Sequence, residues 1–344
     1  MMTTFRQGYL EGKSTSGNCV RSLIRGIYDL AIFTSSWDSR CICICDACEA
    51  QSRYGLLILF EGRDSVGLRE KHDKRLIEYA ASKCGNVEYV KGFSVDVEGT
   101  WKQIFEKVLR FREYEGRPIK ILLDLSTCPR YYALALVGCS LSYGIAEHIS
   151  IFYAEGAYGG RSMGSAASNE YVFSKGHWRT VPVPSLQGTF DPEKKRYYLV
   201  SVGFEGPKTL QVINREDPDS ISILFPQPGF IRDYVAVTEA ENRELIHSYK
   251  VDDTEIIRVH AGDAVAVWKS LHEATIEKPY RDNVFYLCTG TKPHALGLAL
   301  RALALGFPTV LYRVPERHNP LFVEPTGNFW RFDIQDLSSL VSTT

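Results

Sequence analysis

The residues in this sequence best suited to chemistry are Thr289, Gly290, Thr291 and Lys292. They follow an apolar run, Asn283 to Cys288, and precede Pro293 and an alanine- and leucine-rich segment of helical period. The first turn of a helix leaves backbone N–H groups unpaired and carries positive partial charge. A glycine there lets the backbone approach a ligand, threonine hydroxyls add donors, and the lysine adds a full charge. Proline suits a first helical turn, where its missing N–H costs nothing. The pattern describes a cradle for phosphate or another small oxyanion. Ser126, Thr127 and Arg130, after the apolar run Ile119 to Leu125, offer the same chemistry earlier in the chain. The alternative at either place is an ordinary helix cap with a cation facing water.

Both stretches belong to a larger repetition. Asp96 and Trp101 stand 167 residues before Asp263 and Trp268, and Trp37-Asp38 stands 167 before Phe204-Glu205. Phe60 lies 165 residues before Phe225, and Thr127 and Pro129 lie 164 before Thr291 and Pro293. Four blocks in one order at nearly constant spacing indicate an internal duplication. Within each copy, near-continuous apolar runs of strand length alternate with helical segments, as expected of parallel strands buried on both faces. The fold class is therefore α/β: two tandem Rossmann-like domains, each a mostly parallel sheet flanked by helices.

The domain division falls at residues 1–190 and 191–344. The Gly-, Ser- and Pro-rich stretch Ala157 to Arg196 connects the copies and has a counterpart in Arg313 to Phe332 after the second one. Ligands of open parallel sheets lie beyond the carboxyl ends of the strands. Those ends offer Ser35, Ser36, Trp37, Asp38 and Arg40, then Glu61, Gly62 and Arg63, in copy one. Copy two offers Gly203, Phe204 and Glu205, then Gln227, Pro228 and Gly229, and His294 beyond the lysine turn.

The 344 residues carry a formal net charge of −1, which removes any whole-protein attraction to nucleic acid or anionic membrane. No apolar run reaches the roughly 18 residues that span a bilayer, and the first residues carry no signal-peptide core. The expectation is a cytoplasmic protein without cofactor. Cys41, Cys43, Cys45 and Cys48 read as one half-buried strand using cysteine as a small apolar residue. Zinc is the alternative, although the spacing is not the usual paired Cys-x2-Cys. Trp101 and Trp268 read as core. His148, His177, His247 and His318 show no partner in the sequence and read as surface or packing residues.

From Val284 to Tyr312 the segment resembles the CARF family, Rossmann-like sensor domains of prokaryotic antiviral systems. That family has a strand running into Thr-Gly-Gly-Thr-Lys and a small-residue helix; Thr289, Gly290, Thr291 and Lys292 stand where that motif would, one glycine short. Gly203-Phe204-Glu205 and Ser35-Ser36-Trp37 look like the family's turn after its first strand. Copy one has Ser126-Thr127-Cys128-Pro129-Arg130 at the motif's place, a departure. The resemblance implies binding of a cyclic oligonucleotide, often cyclic oligoadenylate, in a cleft between two such domains. These come from two chains in most of the family, so a homodimer is one arrangement; a fused pair, as in SAVED domains, is the other. It implies a separately encoded effector, since the two copies use nearly the whole sequence. Some relatives cut the ligand without metal; here Lys292, Thr291 and Arg130 would stabilise the developing charge. A non-catalytic adaptor subunit of a defence complex is the third reading. The absence of paired general acid and base residues at matched positions favours binding over catalysis.

Overall fold

The computed structural model describes residues 3–7, 10–16, 23–60, 67–92, 96–158, 174–277, 283–318 and 323–335. Glu61, Gly62 and Arg63 lie outside them. The chain divides into two compact units, Met1–Gly160 with Pro320–Ser339, and Arg161–Asn319 with Leu340–Thr344.

The first unit is built on an eight-stranded sheet. Its parallel part comprises β3 (Ile27–Thr34), β4 (Gln51–Phe60), β5 (Cys84–Gly92), β6 (Ile119–Asp124) and β7 (Ala146–Tyr158). Three antiparallel strands extend it: β1 (Thr3–Gln7), β2 (Leu10–Ser16) and β14 (Val323–Gln335), giving the order β1-β2-β14-β7-β6-β3-β4-β5. Helices α1 (Cys43–Ala47), α2 (Leu68–Lys83), α3 (Val97–Glu115) and α4 (Arg130–Ser142) connect the parallel strands.

The second unit repeats this plan. Strands β9 (Arg196–Ser201), β10 (Ser220–Pro226), β11 (Ile256–Val259), β12 (Asn283–Cys288) and β13 (Thr309–His318) are parallel, and β8 (Ser174–Pro182) is antiparallel at the edge. The order is β11-β10-β9-β12-β13-β8. The connecting helices are α5 (Gly206–Glu216), α6 (Asp233–Ser248), α7 (Ala264–Glu277) and α8 (Lys292–Leu305). Numbered within each copy, the parallel strands run 3-2-1-4-5 in both sheets, the doubly wound order of nucleotide-binding folds. The two mostly parallel, helix-flanked sheets expected from the sequence are present.

The duplicated positions keep their jobs. Asp96 and Asp263 each cap the helix that follows, accepting from the amides of Gly99 and Ala266 at 2.9 and 2.8 Å. Trp101 and Trp268 are buried in their units. The apolar runs form the interiors, with Leu30, Ile32, Leu56 and Leu57 of the first sheet and Val200, Ile223 and Leu224 of the second wholly inaccessible.

The sheet boundaries differ from the sequence division at 190/191. Strand β8, which follows copy one, pairs with β13 of copy two; β14, which follows copy two, pairs with β7 of copy one. Each copy thus sends its trailing strand to the other's sheet. Periodicity cannot foresee this, because an antiparallel edge strand has the same pattern whichever sheet it joins.

The cysteine stretch also departs from expectation. Ser39–Ile42 is a 3-10 turn running into α1, so Cys41, Cys43 and Cys45 are helical. The Asp38 carboxylate accepts from the Arg40 amide at 3.0 Å and starts that turn where alternation alone reads a strand. Cys41, Cys43 and Cys48 are buried beside Ala47 and Leu76. Burial raises the thiols, Cys43 and Cys45 both to about 12, so they are protonated packing groups at neutral pH. Among the described residues, no group of three or more His, Cys, Asp or Glu is arranged to hold a metal, and no helix is long and apolar enough to cross a membrane.

Candidate functional site

In each sheet the strand order reverses between the first and fourth strands of the copy, β3 beside β6 and β9 beside β12. The turns leaving these strands hold most of the candidate residues, and they are wired alike in the two units.

The aromatic of the first turn is held by the second helix of its copy. The Arg69 guanidinium lies 5.0 Å from the Trp37 ring centroid, and Tyr234 meets Phe204 edge-on with centroids 5.0 Å apart. The preceding carbonyl is held by the same helix: Ser36 O accepts from His72 Nδ1 at 2.8 Å, and Gly203 O accepts from Asn242 Nδ2 at 2.7 Å. A carbonyl can only accept, so Nδ1 of His72 carries a proton. Across the reversal, Thr127 Oγ1 donates to Thr34 O at 2.9 Å and Thr289 Oγ1 donates to Ser201 O at 2.6 Å.

This wiring corrects one sequence alignment. Thr127 matches Thr289, not Thr291, because these two bind the carbonyl that ends the first strand of their copies. Arg130 and Lys292 then coincide as the first residues of α4 and α8. The connection before α4 is two residues longer, which constant spacing in the sequence conceals.

In the second unit, Thr291 caps α8: its Oγ1 accepts from the His294 amide at 3.3 Å and donates to Ala261 O at 2.7 Å. Lys292 is half-buried at the head of that helix. The two turns touch through glycines. A Cβ on Gly203 would stand 3.0 Å from Thr289 O, and one on Gly290 only 2.2 Å from Ser201 Oγ and 2.7 Å from Val202 O. Ser201 Oγ, beneath Gly290, is wholly buried with no hydrogen-bond partner, as is Thr34 Oγ1 at the matching place in the first unit. Gln227, Pro228 and Gly229 lie one strand further out, at the end of β10.

Several candidates are committed elsewhere. Glu205 takes donors from the amide and hydroxyl of Ser174 at 3.0 and 2.7 Å, from Lys208 at 2.6 Å and from Arg313. Burial alone would raise this carboxyl; Arg313 and the other donors hold it below its ordinary value. Ser174 opens β8, so Glu205 fastens the exchanged strand. In the first unit Ser39 Oγ donates to the carbonyl of Val323, which opens β14, at 2.7 Å. Asp38 and Arg40 form a buried pair at 2.6 Å. Ser35 is buried with its hydroxyl on Asp73, and Ser126, also buried, accepts from the Ala154 amide at 2.9 Å. Ser36 accepts from the Asp38 amide at 3.2 Å.

His148 is not partnerless. Its Nε2 lies 3.2 Å from Asp333 Oδ1 and 3.3 Å from Ser150 Oγ. Although the three residue types are those of a hydrolase, both partners approach one nitrogen, and Ser150 is fully buried and donates to Asp333 at 2.5 Å. It is a polar clasp between β7 and β14. His72, Arg69 and Asn242 were not singled out in the sequence. For Arg69 and His72, a polar residue in the first turns of a helix after a parallel strand was the available signal; Asn242 lies in the later half of α6, where no such signal exists.

A cavity of about 390 Å³ opens in the first unit, lined by Trp37, Ser39, Leu68, His72 and the first three residues of β14.

No family model matches the chain, and no curated protein does. Among solved structures it aligns with the cytoplasmic domain of a prokaryotic cation chloride cotransporter at 8% identity, over 84% of this chain and 96% of that one. The TM-score of 0.24 carries no argument about fold or function.

Proposed function

We propose that the protein binds a nucleotide through its phosphates at the carboxyl end of the second sheet, where β9 and β12 diverge, and acts as a ligand sensor. What supports this reading is the meeting of the turns before α5 and α8. A helix start with Lys292 as its first residue, a Thr291 cap and close-approaching Gly203 and Gly290 stands at the strand-order reversal. The resemblance to CARF domains makes a cyclic oligonucleotide the first ligand to try, with antiviral signalling to a separate effector as the biological setting.

Calorimetry with cyclic oligoadenylates tests the proposal. Lys292→Ala removes a charge-assisted contact and should weaken binding by roughly one to two decades, about 1.5–3 kcal/mol. Unchanged affinity in that variant refutes the cradle. Mass spectrometry of the incubated ligand should return it intact; linear product would replace sensing by phosphodiester cleavage.

A further inference from the structure

Strand β5 ends the first sheet, paired on one side with β4 in a single register from Cys84 to Gly92. Among the described residues, no strand pairs with its other side. A sheet edge is a template for another chain unless it is short, bent or guarded by proline. The other edges are protected in those ways. β11 has four residues and β1 has five. β8 has Gly176 at φ 77°, a register shift opposite it between Pro315 and Arg317, and Pro182 at its end. β5 has nine residues without proline or bulge, and it leaves Tyr89 45% exposed.

The sequence of β5 is complementary to itself. A twofold axis normal to the sheet keeps every side chain on its own face, so antiparallel self-pairing joins residues of like parity. Centred on Glu88, the register pairs the whole strand: Cys84 with Gly92, Gly85 with Lys91, Asn86 with Val90 and Val87 with Tyr89 of a second copy. Any other centre leaves one end of β5 unpaired. In this register each glycine lies opposite a longer side chain, and each Tyr89 ring lies opposite a β-branched residue, a favourable cross-strand pair. Lys91, a type that guards edges, meets only a glycine. At the axis each Glu88 carboxylate is already held by Lys107 at 2.6 Å and by Arg110, so no bare anions face each other. We infer that two copies of the chain associate through β5, continuing the first sheet across a twofold axis at Glu88. The contact lies at a sheet edge and involves no nucleotide, so it is independent of what binds at Lys292.

Sedimentation equilibrium of the full-length protein, without ligand, should show monomer and dimer with a dissociation constant of roughly 1–100 µM, as befits a small interface. Tyr89→Lys, at an exposed position, loses one aromatic pair on each side of the axis and should weaken the dimer roughly tenfold. Directly opposed antiparallel residues have Cα atoms about 4.5–5.5 Å apart, within disulfide reach. Mild oxidation should therefore cross-link Glu88→Cys into a disulfide dimer. Tyr89→Cys, whose own copy lies two residues further along, should stay uncross-linked, as should the oxidised wild type. Melting temperatures check that the variants are folded. A monomer at every concentration up to roughly 100 µM overturns the inference. So does a dimer indifferent to Tyr89→Lys, or cross-linking through Tyr89→Cys in preference to Glu88→Cys.

Discussion

His294, one turn into α8, is wholly buried, with Nε2 donating to His260 O at 3.1 Å. Burial pushes its pKa down to about 4. An unfolded histidine titrates near 6.5. Between those values the unfolded chain holds a proton that the folded chain does not, so stability rises with pH through this window and falls on acidification. The loss between pH 7 and 4 should reach about 3 kcal/mol. His294→Gln keeps a donor for His260 O and cannot titrate. Urea midpoints across that range should fall less in the variant, and an identical slope would assign the acid sensitivity elsewhere. At this scale the sequence was half legible. Thr291 and Lys292 announced a helix start by type, and both are at one. That Glu205 and Ser35 spend their polar atoms on protein partners depends on residues 31 and 38 positions away, which no local pattern encodes.

The exchanged strands are fastened at their polar faces. On β14, Asp333 receives Arg331 at 2.8 Å and Ser150 at 2.5 Å and touches His148, while Trp330 Nε1 donates to Glu155 at 2.6 Å. Burial would raise the Asp333 carboxyl, but His148 and Arg331 hold it below its ordinary value. Asp333→Ala strips a largely buried charge cluster of its anion, which typically costs about 3 kcal/mol or more. The urea midpoint should drop accordingly; a change below about 1 kcal/mol would mean that pairing of the backbones alone holds the strand. The parallel strands were readable because burial on both faces leaves continuous apolar runs such as Ile121 to Leu123. The helical cysteine turn was not, since five residues carry too little period to outweigh a cap at Asp38.

For the whole molecule, duplication was visible at nearly constant offsets, and the same strand order in both sheets follows from it. Their completion by each other's trailing strands was not. A chain stopped at His318 keeps every strand of the second sheet but removes β14, leaving β7 as an open edge beside buried apolar side chains. Hydrogen exchange on that truncated chain should show lost protection in β7 and β6 with β9 to β13 retained; uniform protection would show that the first sheet closes without its guest strand.

That topology also sets a clock during translation. The ribosome finishes β7 at Tyr158 but does not supply its antiparallel neighbour until Gln335. At about 5–20 residues per second, the interval lasts on the order of ten to forty seconds. Throughout it β7 stands in the nascent chain without its antiparallel neighbour, an open strand edge of the kind that pairs with other chains.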